Sequence, residues 1–273
     1  MYRIVKKDRY AGNLYGLWIE ARNVAEKVRA GQFFILITQE KGERVPMTVA
    51  DYDREKGLIY TVFLVIGKTT TELSRMEEGQ ELFSVSGPMG TPSEIEKYGR
   101  VVCVGGGTGI AAIYPIAREL KKAGNEVISI LGAKTRELIF MERELRSVSD
   151  EVVITTDDGS YGKKGFVTDA LRDLLENDVK KVWAAGPAIM MKNVALVTKP
   201  YDVDTIVSLN AIMVDATGMC GTCRVTVGGE TKLTCVDGPE FNGHTVDWDE
   251  FMNRLVRYKE EEEIALKKYI GGE

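Results

Sequence analysis

The stretch RVVCVGGGTGIAAIYPIARELKKAG, residues 100–124, runs from an apolar segment through a glycine turn into a pattern with helical spacing that ends at Gly124. The unit then repeats. NEVISILGAK reads as strand and RELIFMERELRSV as helix, DEVVITTDDG as strand and VTDALRDLLEN as helix, KKVWAAGP as strand and AIMMKNVALVTK as helix. Strands buried on both faces read as continuous apolar runs. Their alternation with helices predicts a doubly wound parallel sheet over residues 99–205.

The flanking segments read differently. Over residues 1–98 the runs LYGLWIEA, GQFFILIT, GLIYTVFLVIG and ELFSVSG are rich in aromatic and β-branched residues and are separated by turn signals. Short strands at this spacing predict a small barrel or sandwich, interrupted only by a short turn at TTELSRMEEG. Residues 206–245 read as irregular, and from Trp248 onward the chain reads as one charged helix in which Phe251, Leu255 and Tyr258 face the protein's own core, with docking onto a larger subunit as the alternative. A net charge of −5 argues against nucleic acid as a partner. No apolar run is long enough to span a membrane and no signal peptide is visible, so the expected location is the cytoplasm.

Three glycine-marked turns fall at the carboxyl ends of predicted parallel strands: Gly105–Gly109, Thr155–Gly165 and Ala184–Met191. Backbone N–H groups and a helix start at such an edge suit a pyrophosphate. GGGTG is not the dinucleotide fingerprint, because Ile110 occupies the last glycine position, and alone it reads equally as a tight turn. Three such turns on one edge predict a ligand crevice. In the first domain, VIGKTTTELS places Gly67 and three threonines before a helical turn, more hydroxyls than one N-cap needs.

Cys220 and Cys223 form a C-x-x-C pair, and Cys235 follows within sixteen residues of Cys220. Without an export signal, this suits a metal or redox site better than disulfides. Metal sites usually take four ligands, so three readings stand: a degenerate loop with no metal, zinc held by three cysteines with Asp215 or His244, and a [2Fe–2S] cluster.

A barrel followed by an α/β domain that opens with GGGTGIA and closes with GP and a nearby methionine resembles the ferredoxin–NADP reductase superfamily. The turn DDGSYGKKGFVTD resembles more closely the electron-transfer subunits of dihydroorotate dehydrogenase, which append a [2Fe–2S] domain. The resemblance implies a β-barrel flavin domain (1–98), a doubly wound α/β NAD(P)-binding domain (99–205) and a small C-terminal [2Fe–2S] domain (206–273). It implies FAD against ERVPMTVAD, where the superfamily carries R-x-Y-[ST]. Thr48 matches the hydroxyl, Met47 stands for the aromatic, and Val45 replaces the arginine with Arg44 beside it. Pro46 and Val65 would line the flavin, and Gly67, Thr69, Thr70 and Thr71 would hold its pyrophosphate. The dinucleotide would lie on Gly105, Gly106, Gly107, Thr108 and Gly109, with Asp158, Gly159, Gly186, Pro187 and Met190 completing the crevice. SGPMG, Ser86–Gly90, matches the superfamily's GPLG at the barrel exit, where a structural role is at least as good a reading.

Laying the relatives' C-x4-C-x2-C spacing on Cys220, Cys223 and Cys235 puts Asp215 where the first cysteine would stand. An Asp-Cys-Cys-Cys [2Fe–2S] centre closely resembles the small-subunit family of electron-bifurcating NADH-dependent reduced ferredoxin:NADP oxidoreductases, also called sulfide dehydrogenase small subunits. That resemblance implies a relay from NAD(H) through FAD and the cluster to a larger flavin/[4Fe–4S] subunit, with ferredoxin reached indirectly. No acid–base catalytic residue is required. Lys134 and Arg136 lie where a 2′-phosphate would sit, but the resemblance favours NAD(H). The alternatives are the electron-transfer subunit of a dihydroorotate dehydrogenase or hydrogenase complex, and a zinc-containing binding protein without redox chemistry.

Overall fold

The computed structural model describes residues 2–271. The N-terminal part comprises β1 (Tyr2–Ala11), β2 (Leu14–Glu20), the short α1 (Arg22–Ala25), β3 (Phe33–Ile37), β4 (Val45–Thr48), β5 (Asp51–Asp53), β6 (Leu58–Leu64), α2 (Lys68–Arg75), β7 (Glu81–Leu82) and β8 (Ser84–Met89). Two sheets, ordered β5-β6-β2-β1-β7 and β4-β3-β8, wrap around a core that includes Ile4, Leu17, Phe34, Leu36, Phe63 and Leu73. Leu73 draws α2 onto that core, so TTELSRMEEG forms two helical turns rather than an isolated one. The first strand is not visible as such in the sequence. Half of YRIVKKDRYA is charged, and Ile4 is its only fully buried residue.

The central part comprises β9 (Arg100–Gly106), α3 (Gly109–Lys122), β10 (Glu126–Ala133), α4 (Glu142–Val148), β11 (Glu151–Thr156), β12 (Lys163–Lys164), α5 (Val167–Leu175), β13 (Lys181–Ala185), α6 (Ala188–Thr198) and β14 (Asp204–Ser208). The C-terminal part adds β15 (Arg224–Val227), β16 (Glu230–Leu233), β17 (Glu240–Asn242), α7 (Trp248–Leu255) and α8 (Lys259–Gly271). The large sheet has the order β12-β11-β10-β9-β13-β14-β17 and is parallel up to β14. Strand order therefore reverses between β9 and β13, which is where doubly wound sheets hold ligands.

Several expectations are modified. The helix read over RELIFMERELRSV begins only at Glu142, after a single 3-10 turn at Arg136–Leu138. Phe140 and Met141 are buried at 3% and 5% exposure, and Met141 takes φ 52°, so burial of this apolar pair as a loop breaks the helix. The C-terminal segment is two helices, not one. Residues 206–245 hold three further strands in full, and β14 crosses the boundary drawn at 205/206.

The regions share cores. One sheet face packs with Val194, Phe251, Trp248, Cys223 and Cys235. On the other face Ile110, Ile113 and Trp183 pack with barrel residues Tyr60 and Val62.

Candidate functional site

The glycine turn after β9 meets the turn after β13. A Cβ on Gly109 would strike the carbonyl of Ala185, and one on Gly106 would strike Sδ of Met190. Gly107 has φ +53°, open space where a Cβ would stand, and an N–H donating to Gly132 O at 2.9 Å. Gly105 packs against Ile110 and Ile113, and Thr108 precedes the first turn of α3. Gly186 has φ +153° and lies against Gly106 O and Met190 Cε, while Pro187 begins α6 and accepts from Met190 N at 2.9 Å. The structure thus brings Gly105–Gly109, Gly186, Pro187 and Met190 together.

The neighbouring rim is built from the loops after β10 and β11. Asp157 N donates to Ala133 O at 3.1 Å and Asp158 N to Lys134 O at 3.3 Å. Ser160 donates to Asp158 Oδ1 through Oγ at 2.7 Å and N at 2.9 Å, and these bonds hold the Asp158 carboxyl below the usual carboxylate range. Ser160 Oγ also accepts from Arg136 N at 2.9 Å, while the Arg136 guanidinium lies 5.2 Å from the Tyr161 ring centre. Gly159 turns the loop with φ +78°. Sequence reading pointed to Asp158 and Arg136 but missed Ser160 and Tyr161, which lie inside the quoted turn.

In the barrel, β4 pairs with β3 so that Thr48 faces Phe33, Met47 faces Phe34 and Pro46 faces Ile35. Met47 is buried and Thr48 half-buried. At α2 the threonines are not spare hydroxyls. Thr69 donates to Glu43 at 2.6 Å, Thr71 donates to Gly67 O at 2.8 Å, and Thr70 Oγ1 accepts from Ile66 N and Gly67 N at 3.0 Å each. What the helix start offers an anion is backbone. The first intrahelical bond joins Thr71 N to Gly67 O at 3.0 Å, leaving the N–H groups of Lys68, Thr69 and Thr70 without intrahelical acceptors. A Cβ on Gly67 would meet nothing within 4 Å, so the approach is open. Val65 donates its N–H to Asn13 O at 2.8 Å, tying this loop to the barrel.

The cysteine region lies against the sheet core. Sγ of Cys223 and Sγ of Cys235 are 3.2 Å apart and both residues are buried, whereas Cys220 is exposed. Burial pushes the Cys235 thiol up to about 12, with Cys223 adding to the effect, and hydrogen bonding from Thr222 draws the Cys220 thiol down. Asp215 Oδ1 accepts from Thr217 N and Oδ2 from Cys220 N, both at 2.7 Å, and these N–H groups hold its carboxyl ionised below the usual range. Among the described residues no three His, Cys, Asp or Glu side chains converge on one point. Two adjacent thiols, a third on the same loop and an ionised carboxylate wound into that loop are nevertheless a donor set that suits iron–sulfur chemistry. His244 is engaged elsewhere, its Nε2 bonding Thr198 Oγ1 at 2.9 Å.

Two contacts at this site had no sequence signal. Arg44 Nη2 donates to the backbone carbonyl of Asp215 at 3.1 Å, across 171 residues of sequence. Ser93 Oγ donates to Glu240 Oε1 at 2.6 Å, joining the barrel exit to β17.

Comparison with known proteins places these features in context. Residues 210–247 match the iron-sulfur cluster binding domain of dihydroorotate dehydrogenase B, and residues 103–195 match the oxidoreductase NAD-binding domain. The chain is 51% identical to a dihydroorotate dehydrogenase B (NAD(+)) electron transfer subunit homolog of Thermotoga maritima, over 98% of this chain and 95% of that one. It is 34% identical to the dihydroorotate dehydrogenase B electron transfer subunit of Clostridium perfringens, over 86% of this chain and 92% of the other. A chain from the solved structure of an NADH-dependent reduced ferredoxin-NADP oxidoreductase, described in relation to flavin-based electron bifurcation, superposes with a TM-score of 0.94. The identity is 49% and the superposition covers 99% of this chain and 98% of that one. A carbazole dioxygenase ferredoxin reductase, at 19% identity and TM-score 0.65 over 74% of this chain and 65% of that one, shares the fold.

Proposed function

The chain belongs to the family of dihydroorotate dehydrogenase B electron transfer subunits, and on that premise we propose that it is the flavin and [2Fe–2S] subunit of a bifurcating NADH/ferredoxin:NADP oxidoreductase. Its partner in this reading is a larger flavin/[4Fe–4S] subunit. The observation that carries the choice is the likeness along nearly the whole chain, 49% identity at a TM-score of 0.94, to a chain of such an oxidoreductase. A second reading, service to a dihydroorotate dehydrogenase, is favoured by the 51% identity to the Thermotoga maritima homolog.

The geometry supports the following division of labour. The nicotinamide dinucleotide would bind at the reversal of strand order, where Gly107 and Thr108 would hold its pyrophosphate and Gly186 and Pro187 would border its nicotinamide end. The loops after β10 and β11 take the adenosine ribose. Lys134 and Arg136 stand on this rim beside Asp158, and the choice of NAD(H) over NADP(H) is supported by the NAD(+) of the Thermotoga maritima homolog's description. FAD would bind along β4, where Thr48 is the half-buried hydroxyl beside the buried Met47, and the N–H groups of Lys68, Thr69 and Thr70 would hold its pyrophosphate. Cys220, Cys223, Cys235 and Asp215 would hold the [2Fe–2S] cluster. When bound, the flavin supplies the exchange between a hydride's electron pair and single electrons, and the cluster supplies the one-electron carrier. The protein aligns the three sites, shields them and tunes their charge; no side chain need shuttle a proton.

Flavin, iron and sulfide analysis followed by anaerobic spectra with NADH and then NADPH tests this reading. FAD and a [2Fe–2S] cluster should be present, and NADH should bleach the flavin. Absence of both chromophores with one zinc per chain rejects it, and bleaching by NADPH alone reverses the nucleotide choice. Asp215→Ala should alter the cluster's EPR spectrum; an unchanged spectrum and potential would remove Asp215 from the ligand set.

A further inference from the structure

We propose that Arg44 is a positioning residue that latches the cysteine loop to the flavin strand and supplies a positive charge that raises the cluster's reduction potential. The proposal rests on the functional reading above for its cluster, but the latch itself rests only on contacts within the chain.

Arg44 immediately precedes β4, the strand that carries Met47 and Thr48. Its Nη2 crosses to the C-terminal region and donates to the carbonyl of Asp215 at 3.1 Å. Asp215 is the residue on which that loop is wound, since its carboxylate accepts the N–H groups of Thr217 and Cys220 at 2.7 Å each. Between Asp215 and Thr217, Ala216 is buried and takes φ +60°. A left-handed alanine is maintained only where its surroundings enforce it. The far side of the cysteine region is fixed separately, where Thr91 N donates to Gly238 O at 2.6 Å and Thr91 Oγ1 to Val236 O at 3.1 Å. The barrel thus holds the cysteine region through Arg44 beside Cys220, through Thr91 just after Cys235 and through Ser93 at β17, and Arg44 is the grip beside Cys220.

Two consequences follow. A charged donor to a carbonyl is stronger than a neutral one, so loss of Arg44 should loosen the loop from Asp215 to Cys223 locally. A guanidinium bonded to the backbone of a residue that would ligate the cluster would favour the more negative, reduced state, because cluster potentials follow net charge and hydrogen bonding. Arg44 thereby links the flavin strand mechanically to the cluster loop and shifts the driving force between the two sites.

The test uses the full chain in four forms, wild type, Arg44→Met, Arg44→Gln and Arg44→Lys, with two readouts. Hydrogen exchange follows the amides of residues 214–223, and an EPR-monitored titration follows the cluster midpoint. In Arg44→Met the exchange should quicken about five-fold in this loop alone, and the midpoint should move to more negative potential. Arg44→Lys should restore both, and Arg44→Gln, which keeps a donor without the charge, should leave the potential shifted. A loop whose contribution was only structural would not order the potentials by charge. Unchanged exchange or an unchanged potential in Arg44→Met overturns the proposal, as does exchange that quickens throughout the barrel. If the wild-type protein holds no iron and sulfide, the functional reading fails, and the exchange comparison still decides whether Arg44 is a latch.

Discussion

Gly107 and Gly109 lie two residues apart in one turn and answer to different constraints. Gly109 is fixed by packing, because any side chain would run into the backbone of Ala185. Gly107 faces open space with φ +53°. Gly109→Ala should therefore destabilise the fold by about 3 kcal/mol, the range of an overpacked core site. Gly107→Ala should cost about 1–2 kcal/mol through its left-handed backbone, while its methyl group projects into the crevice and weakens NADH binding at least about ten-fold. Urea denaturation and an NADH titration of the two variants separate these effects, and full NADH affinity in Gly107→Ala would move the dinucleotide off this turn. The sequence shows a glycine-rich turn at this place but cannot show which glycine meets Ala185, since that depends on a strand more than seventy residues away. The same holds at Arg44. One residue out of register with the flavin motif, it looks like a degraded pyrophosphate ligand, and only the folded chain shows the carbonyl it reaches.

At the scale of elements, legibility follows burial. The parallel strands β9, β10 and β13 are apolar along their length because both faces are covered, and their helices follow from spacing. Strand β1 escapes that logic because most of its side chains face water. The hairpin of β15 and β16 did carry a signal, the Gly228-Gly229 pair, whose φ values of +60° and +81° suit a two-residue turn between short strands. The C-terminal helices show the contrast most clearly. Helix α7 buries Phe251 at 1% exposure and Trp248 at 9%, with Trp248 Nε1 donating to Gly243 O at 3.0 Å and Asp247 capping through Glu250 N at 2.9 Å. Helix α8 buries none of its residues, and its visible tie to the barrel is the Arg75 guanidinium, 5.1 Å from the Tyr269 ring centre. A helix without a packed face draws little stability from tertiary structure. Phe251→Ala should cost about 3–5 kcal/mol. Removal of residues 259–273 should cost less than about 1 kcal/mol, the scale of one exposed cation–π contact. Chemical denaturation compares the two; a large loss on truncation would mean that α8 closes the barrel.

For the whole molecule, the three sequence regions are not three independent bodies. β17 from the cysteine region extends the dinucleotide sheet, pairing Val207 with Phe241 and Ser208 with Glu240, and the barrel exit reaches the same spot through Ser93. Glu240 therefore stands where all three regions meet. Burial pushes its carboxyl up to about 7, against opposing pulls from Ser93, Trp183 and Lys181. Lys181 is itself held by Asp204 at 2.9 Å and Glu94 at 3.4 Å, so it neutralises Glu240 only in part. The folded chain thus binds this proton more tightly than the unfolded chain, whose glutamate titrates near about 4.3. A raised acid has the opposite sign from a salt-bridged one: stability is greatest at low pH with respect to this group, falls as pH rises between the unfolded and folded values, and is level above about 7. The total swing is about 3–4 kcal/mol for a shift of this size. Glu240→Gln keeps the acceptor for Ser93 and removes the charge. Anaerobic urea unfolding at pH 5 and pH 8 should show the variant gaining stability over the wild type at pH 8 and little at pH 5. Equal differences at both values would show that Glu240 is ionised throughout, and that Ser93 meets a carboxylate at the junction where flavin, dinucleotide and cluster regions join.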